Sequence, residues 1–443
     1  MSLPETLQIP CSLPVHADLS IPGSKSLTNR ALLVAALAQG TSQLKGMLHS
    51  DDTHYMTEAL KALGVTAEPS GTEMKVVGSG GRFSPYAGEI YVENAGTAAR
   101  FLTAALGLGQ GTYRLNGNAR MRQRPILDLV QALGSLGVKV TDLEGTGCPP
   151  LLIEGGGFKG GAVEVRGDQS SQYLSALMLT APCAPKDTVI TIEGPLVSRT
   201  YVEMTRKIMA DFGAQSHWLD PTRLSVKGGQ GYRGREYQIE ADASSASYFF
   251  GLAAIAGGRI RVHGIEENST QGDLGLVRIL EAMGCQVTFE SGAVVLERDP
   301  NQPLQSVEVD MNSMSDVAPT LAVVALFAQG RTRIGNVANM RIKECDRIKA
   351  VVTELGKLGA KVEEFEDGLA VTGGAPLKGA KLHSYDDHRM AMCLSLAGVK
   401  LPGVVIENPS CVSKTFPDFY QRFWPLLVPA TEQDRALLGQ LGG

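Results

Sequence analysis

No apolar run in this chain reaches the ~18 uninterrupted residues that a membrane-crossing helix needs, so neither a span nor a membrane partner is expected. Seven cysteines, an odd number with no CxxC pair, argue against a disulfide framework and against a structural zinc site. The seven histidines include no HExxH or other paired His/carboxylate spacing, so no metal is expected. Neither sign of charge dominates: 41 basic side chains face 46 acidic ones, a net charge of −5. Without a global basic field, nucleic acid is not an expected partner. The opening MSLPETLQIPCSLP lacks both the charged-then-apolar pattern of a secretory leader and an Arg-rich transit pattern. Together with the cysteine usage this points to the reducing cytoplasm. A hydrophobic fraction of 43% and a charged fraction of 20% exclude a disordered or fibrous chain. At roughly 100–200 residues per domain, the length suggests two to four domains.

Tryptophan is scarce, at two residues, while glycine is abundant at 51, and many of the glycines recur with a period. Five amphipathic stretches close with a similar phrase: ALGV (Gly64), SLGV (Gly137), DFGA (Gly213), AMGC (Gly284) and KLGA (Gly359), at gaps of 73, 76, 71 and 75 residues. Glycine stands where a helix needs a left-handed residue at its C-terminus, and a β-like stretch such as CQVTF follows. Upstream of each phrase lies a second, strongly apolar helix. The starts read GSKSLTNRALLVAALA, NAGTAARFLTAALG, DQSSQYLSALMLTA, DASSASYFFGLAAIA, NSMSDVAPTLAVVALFA and SYDDHRMAMCLSLAG. Ser, Thr, Asp or Asn at these starts is expected to cap them, and small residues allow close backbone approach.

The pattern is six copies of one unit: buried helix, strand, exposed helix, strand. The sixth runs into TFPDFYQRFWPLL instead of a closing glycine phrase. Six copies divide most simply into two domains of three, 22–240 and 1–21 plus 241–443, with the crossover near Glu240. The strand of the first ~20 residues has no home in the first domain. Pairing it into the second gives two chain crossings and a hinge. The tail after Pro429 reads as a weakly ordered appendage.

A helix apolar on nearly all sides is buried, so its polar N-terminus opens at one end of a domain and presents a positive dipole end to anions. Chemistry-bearing residues gather at these ends. PGSKS places Lys25 and Ser26 at the first, with Arg30 a turn on. Taken alone it reads first as a solvated helix start, and it is not a Walker loop. NAGTAAR offers bare backbone around Gly96 plus Arg100. NARMRQRP carries Arg120, Arg122 and Arg124 at alternate positions, all on one side if the loop is extended, as carboxylate or phosphate capture would favour. The third unit supplies Ser170, Ser171 and Gln172, then Ser198, Arg199 and Tyr201. Units five and six carry the acid/base candidates Asp316 and Glu344 among Lys343, Arg347, His388 and Arg389, and Lys414 completes a second cationic set. RIKECDR alone reads first as an ordinary salt-bridged helix; its recurrence at equivalent places of a repeat is what favours function. Cys345 and Cys411 read as buried bystanders.

PGSKSLTNRALLVAALA, NAGTA.R, RMRQRPI, SSQYLSAL, DMNSMSDVAPT, RIKECDR, YDDHRMAM and SKTFPDF, spread from Pro22 to Phe419, together resemble the 5-enolpyruvylshikimate-3-phosphate synthases (3-phosphoshikimate 1-carboxyvinyltransferases) of the enolpyruvyl transferase family. The resemblance implies a two-domain inside-out α/β barrel of six βαβαββ repeats, three per domain, closing on its ligands at a hinge. It implies transfer of the enolpyruvyl group of phosphoenolpyruvate to the 5-hydroxyl of shikimate 3-phosphate, with release of phosphate, in aromatic amino-acid biosynthesis. Neither cofactor nor metal is implied, and a monomer is expected. By the resemblance, shikimate 3-phosphate is bound by Lys25, Ser26, Arg30, Ser170, Ser171, Gln172, Ser198, Tyr201, Asp316, Asn339 and Lys343. Phosphoenolpyruvate is bound by Lys25, Gly96, Arg124, Gln172, Arg347, Arg389 and Lys414. Asp316, Glu344 and Lys25 carry the proton transfers.

The chain departs from the family pattern at several points. GNAGTAMRPL is here ENAGTAARFL, with Glu93, Ala99 and Phe101 substituted. Phe101 in place of proline removes a rigid φ near the helix start. This bears on sensitivity to glyphosate, the family's phosphoenolpyruvate-site inhibitor, although Gly96 keeps space for it. Lys-Pro after Ser198 is Arg199-Thr200, which is expected to keep the charge. The sister transferase acting on UDP-N-acetylglucosamine carries a reactive cysteine where this chain has Arg120-Met121-Arg122. A non-catalytic anion-binding scaffold would need no acid beside its cations, yet Asp316 and Glu344 are there.

Overall fold

Six helices carry almost no exposed residue. In Gly96–Ala105, Ala243–Ala256, Ala318–Ala325 and His388–Gly398 every residue is buried. In Lys25–Leu37 only Lys25 and Ser26 escape burial, and in Ser171–Thr180 only Gln172. Their composition explains this: runs such as RALLVAAL and YFFGLAAIA offer no polar stripe to turn toward water, so burial on all sides is the stable solution. The computed structural model describes residues 3–439. The chain divides into two units, one from Gly23 to Glu240 and one combining the chain up to Pro22 with that from Ala241 onward. Each unit has its own apolar core, built on three of these helices.

Sheets cover the helices. In the third repeat Gly161–Arg166 runs parallel to Thr188–Glu193, which pairs antiparallel with Arg223–Val226, which pairs in turn with Ser216–Asp220. Val163 and Val165 face inward while Glu164 and Arg166 alternate outward, as a sheet with one solvated face requires. The second and fifth repeats build the same four-stranded order. The sheets stay separate rather than closing into one hydrogen-bonded barrel, so "inside-out" describes the layering, helices within and sheets without, better than "barrel" does.

The first and fourth repeats differ in one respect. Val15–Ser20 directly precedes the Lys25 helix but pairs with Gly258–His263 of the fourth repeat. Glu236–Gln238 directly precedes the Ala243 helix but pairs with Thr41–Lys45 of the first. The chain therefore passes twice from one unit to the other. The passages are pinned by Asp242 N–H donating to the Pro22 carbonyl (3.0 Å) and Ser24 N–H donating to the Glu240 carbonyl (2.8 Å).

The five closing glycines take φ values of +88°, +94°, +91°, +108° and +88° at Gly64, Gly137, Gly213, Gly284 and Gly359. After each, the next amide reaches back to the helix: Val65 to Leu60, Val138 to Leu133, Ala214 to Met209, Cys285 to Leu280 and Ala360 to Leu355, at 2.8–3.3 Å. These six-to-one bonds, with the glycine's own amide bonding three residues back, end all five exposed helices in the same way. The sixth repeat has no exposed helix; its strands Lys381–His383 and Val405–Glu407 are completed by Thr6–Gln8 from the chain start.

The tail overturns its expectation. Val428–Pro429 pairs with Ser12–Leu13, and a helix follows at Glu432–Gly439. Asp434 is buried and accepts the Cys11 amide (2.8 Å), so one carboxylate ties the end of the chain to its beginning. The four residues beyond lie outside the described ones.

A methyl group added at Gly213 would meet nothing within 4 Å, so only the backbone conformation demands glycine there. Gly213→Ala is expected to destabilise by about 1 kcal/mol and Gly213→Asn by roughly half of that, measured by urea unfolding. Equal stability of Gly213→Ala and the parent would show that the left-handed cap carries no weight.

Candidate functional site

Where a residue of the buried helices escapes burial it stands at the start: Lys25 and Ser26 in one, Gln172 in another. Side chains cap four of the starts: Ser24 accepts the Leu27 amide (3.5 Å), Ser170 that of Gln172 (3.2 Å), Asp242 that of Ser245 (3.0 Å) and Asp387 that of Arg389 (2.9 Å). The other two differ from expectation, since Ala95 and Val317 at those positions provide no side-chain cap. Before Ala318, the 3-10 turn Asn312–Val317 runs straight into the helix and the Ser315 carbonyl accepts the Ala318 amide. At Gly96 a cation lies over the helix start instead. A Cβ on Gly96 would fall 2.4 Å from a terminal guanidinium nitrogen of Arg124.

In the Gly23–Glu240 unit, Lys25 pairs with the buried Asp52 at 3.3 Å. Arg124 donates to both the carbonyl and the side-chain oxygen of Asn94, each at 3.0 Å. The arginines of NARMRQRP do not share a face. Met121–Gln123 is a 3-10 turn, so positions two apart point in different directions. Arg124 turns inward and is 5% exposed. Arg122 turns out toward Glu144 (3.5 Å), and Arg120 donates to Gln123 (3.3 Å).

Arg30 is 1% exposed, deeper than a ligand-facing reading implied. It donates to Thr205 Oγ1 (2.8 Å), the Ser26 carbonyl (3.0 Å), Ser175 Oγ (3.2 Å) and the Tyr201 carbonyl (3.2 Å). Of its five N–H groups one is left over. Burial pushes its guanidinium down to about 10. Gln172 donates to Thr97 (3.4 Å), and Ser171 is buried beside it. Ser198 holds a left-handed backbone at φ +54°, a conformation that a non-glycine residue keeps only where its surroundings enforce it. Arg199 does not bring its charge to this group: it stacks on Trp218 at 4.1 Å on the exposed face of its helix.

In the other unit one guanidinium organises the acids. Arg347, 1% exposed, donates to Asp387 through Nε (2.7 Å) and a terminal nitrogen (3.2 Å), to Glu344 (2.7 Å) and to Asp316 (3.2 Å). Burial works against its charge, but Asp387, Glu344 and Asp316 outweigh it and hold the guanidinium above its ordinary range. Asp316 also accepts from Arg389 (2.8 Å) and lies 3.7 Å from Lys343. Asn339 donates to Ser315 (3.2 Å), next to Asp316. Lys414 ends the turn Pro409–Lys414 and is half-buried. RIKEC is a turn rather than a salt-bridged helix, because the helix begins only at Arg347, behind its cap Asp346. Cys345 and Cys411 are half-buried rather than buried, and the Cys345 thiol donates to Asp387 (3.5 Å). His388 Nδ1 lies 3.7 Å from Asp387.

Several participants escaped the sequence reading. Asp52, Asn94 and Asp387 hold Lys25, Arg124 and Arg347, and Asp273 and Ser244 stand behind Arg389. Asp387 left a signal as the acidic residue just before a buried helix, and Asn94 and Ser244 stand in the helix starts NAGTAAR and DASSAS.

A family model described as EPSP synthase (3-phosphoshikimate 1-carboxyvinyltransferase) matches residues 11–423. Proteins named 3-phosphoshikimate 1-carboxyvinyltransferase from Trichormus variabilis and Escherichia coli are each 46% identical to this chain, covering 96% and 92% of it and 99% and 96% of themselves. The solved EPSP synthase of Acinetobacter baumannii matches with a TM-score of 0.80 at 26% identity, covering 96% of this chain and 98% of that one. The chain belongs to the EPSP synthase family.

Asp273 is pushed up to about 6, first by burial and then by the negative charge of Asp316, with Arg389 opposing. In an unfolded chain such a carboxyl titrates near ~3.9. The stability linked to this raised value is therefore present below about pH 4 and lost as pH rises through about 6. Asp273→Asn removes that titration. Its melting temperature relative to the parent is expected to be roughly 2–4 °C more favourable at about pH 7.5 than at about pH 4.5. An equal difference at both would show that Asp273 titrates normally.

Proposed function

We propose that the two sets of residues serve one reaction, transfer of the enolpyruvyl group of phosphoenolpyruvate to the 5-hydroxyl of shikimate 3-phosphate with release of phosphate. Membership of the family supports the activity, and one observation carries the roles: two carboxylates, Asp316 and Glu344, share the buried Arg347. Each substrate brings a phosphate and a carboxylate, a combined charge of about −6 when fully ionised. Lys25, Gly96, Arg124, Gln172, Arg347, Arg389 and Lys414 receive phosphoenolpyruvate. Lys25, Ser26, Arg30, Ser170, Ser171, Gln172, Ser198, Tyr201, Asp316, Asn339 and Lys343 receive shikimate 3-phosphate, with Arg30 offering its one remaining N–H.

In the addition step Asp316 takes the proton of the 5-hydroxyl as that oxygen attacks the enol carbon. Glu344 delivers a proton to the methylene carbon, which becomes a methyl group. In the elimination step Glu344 takes a methyl proton back, the double bond re-forms and phosphate leaves, taking up the proton that Asp316 had removed. Lys25 bridges charge and proton to the departing group. Arg347 has four of its five N–H groups committed. An arriving anion therefore meets one uncommitted N–H there, as on Arg30, beside Glu344 and Asp316.

The seven cysteines stand as thiols, in keeping with a reducing cytoplasm, and the enzyme is taken to act as a monomer.

Phosphate release from phosphoenolpyruvate is expected with shikimate 3-phosphate and not with UDP-N-acetylglucosamine. Release with the latter alone would overturn the reading. Glu344→Gln and Asp316→Asn are each expected to lower kcat by at least ~10²-fold with much smaller changes in KM; near-normal turnover in either removes that residue from the chemistry. Gly96→Ala drives its methyl into Arg124. It is expected to raise KM for phosphoenolpyruvate at least ~10-fold while KM for shikimate 3-phosphate changes little.

A further inference from the structure

Behind Arg389 stand two residues that the reaction scheme does not use. Asp273 lies in the short turn Gly272–Gly275 and is 4% exposed. Its Oδ2 accepts the hydroxyl of Ser244, the second residue of the buried helix Ala243–Ala256. A hydroxyl has one proton and two lone pairs. With the proton directed to Asp273, a lone pair faces the other way, where a terminal nitrogen of Arg389 donates to Ser244 Oγ at 3.4 Å. The same nitrogen donates to Asp316 Oδ2 at 2.8 Å. The two acceptors on that nitrogen come from different repeats, and Asp273 decides which way one of them points. All four side chains are largely shielded from water, so the aim of the guanidinium depends on these contacts rather than on solvent.

We propose that Asp273, acting through Ser244, is a positioning residue that fixes the aim of Arg389 and with it the enzyme's hold on the anionic groups of phosphoenolpyruvate. The inference rests on Arg389 receiving phosphoenolpyruvate, as set out under Proposed function. Without Asp273 the Ser244 proton is free to rotate toward Arg389 and oppose the donor there. Without Ser244 the nitrogen keeps Asp316 alone. Either change leaves the carboxylates that move protons in place, so the loss falls on donor binding and not on turnover.

Steady-state kinetics on the full-length enzyme tests this. Ser244→Ala and Asp273→Ala are each expected to raise KM for phosphoenolpyruvate about 3–10-fold, with kcat and KM for shikimate 3-phosphate held within about twofold. The double variant is expected to be no worse than the poorer single one, because both changes cut the same line. Asp273→Asn keeps an acceptor oxygen and is expected to return KM to within about twofold of the parent. An unchanged KM for phosphoenolpyruvate in Ser244→Ala, singles that multiply in the double variant, or a fall in kcat alone each overturns the proposal. If Asp273→Ala fails to fold, Ser244→Ala, which removes one hydroxyl, decides by itself. Arg389→Lys in parallel separates the two levels. A raised KM in Arg389→Lys with none in Ser244→Ala defeats only the positioning role. No change in Arg389→Lys defeats both it and the reading it rests on.

Discussion

A helix buried along its whole length has only its ends to offer to water. Three such helices in each unit therefore confine the chemistry to their starts and to the loops that feed them. The starts must bring polar and charged side chains into a setting that is otherwise apolar. Arg30, Arg100, Arg124, Arg347 and Arg389 are all at most 5% exposed. A guanidinium taken out of water needs its N–H groups satisfied by geometry that the fold supplies in advance. Much of the architecture around the helix starts exists to do this. The Met121–Gln123 turn swings Arg124 over Gly96, and the Asn312–Val317 turn delivers Asp316 to Arg389.

At the helix starts Arg30 and Arg100 of one unit and Arg347 of the other are satisfied by different means. Arg30 and Arg100 are held by neutral acceptors: hydroxyls and carbonyls for Arg30, and two carbonyls and the Met121 sulfur for Arg100. Dipoles fix a guanidinium without cancelling its charge, and burial brings both groups down to about 10. Arg347 is held by three carboxylates, which fix it and cancel its charge together. The first arrangement preserves positive potential for an anion. The second sets three carboxylates against one cation. The two arrangements are opposite solutions to one solvation problem, with Lys25 and its partner Asp52 the exception in the first unit.

What could be read from the residues follows from this division. Periodic features survived translation into structure because they depend on local backbone physics. A glycine after an amphipathic stretch is needed wherever a left-handed residue ends a helix, and all five closing phrases met that need. The foreign pairing of Val15–Ser20 followed from counting strands. The failures involve side chains whose direction depends on a single turn. Alternation in NARMRQRP implied a common face, but three residues per turn rather than two placed Arg122 and Arg124 on different sides. The partners Asp52, Asn94 and Asp387 were missed because each is one ordinary polar residue at a loop or helix start. Their meaning appears only when a cation from elsewhere in the chain arrives beside them. The tail after Pro429 was misjudged for the same reason, since its anchor, Asp434 on the Cys11 amide, spans nearly the whole chain.

The departures from the family pattern show how tightly the helix starts are coupled. Phe101 replaces a proline that would have stiffened the Gly96 helix through its own φ. Its ring is fully buried, with Arg30 at 5.2 Å on one side, and the ring of Tyr201 lies 5.8 Å from the same guanidinium. Arg30 comes from the first repeat, Phe101 from the second and Tyr201 from the third, so one cation between two rings joins all three. Stiffness lost within one helix is replaced by stiffness between helices. Phe101 lies little more than one turn from Gly96, so the contact to Arg30 and the helix start beneath Arg124 belong to the same short stretch of helix.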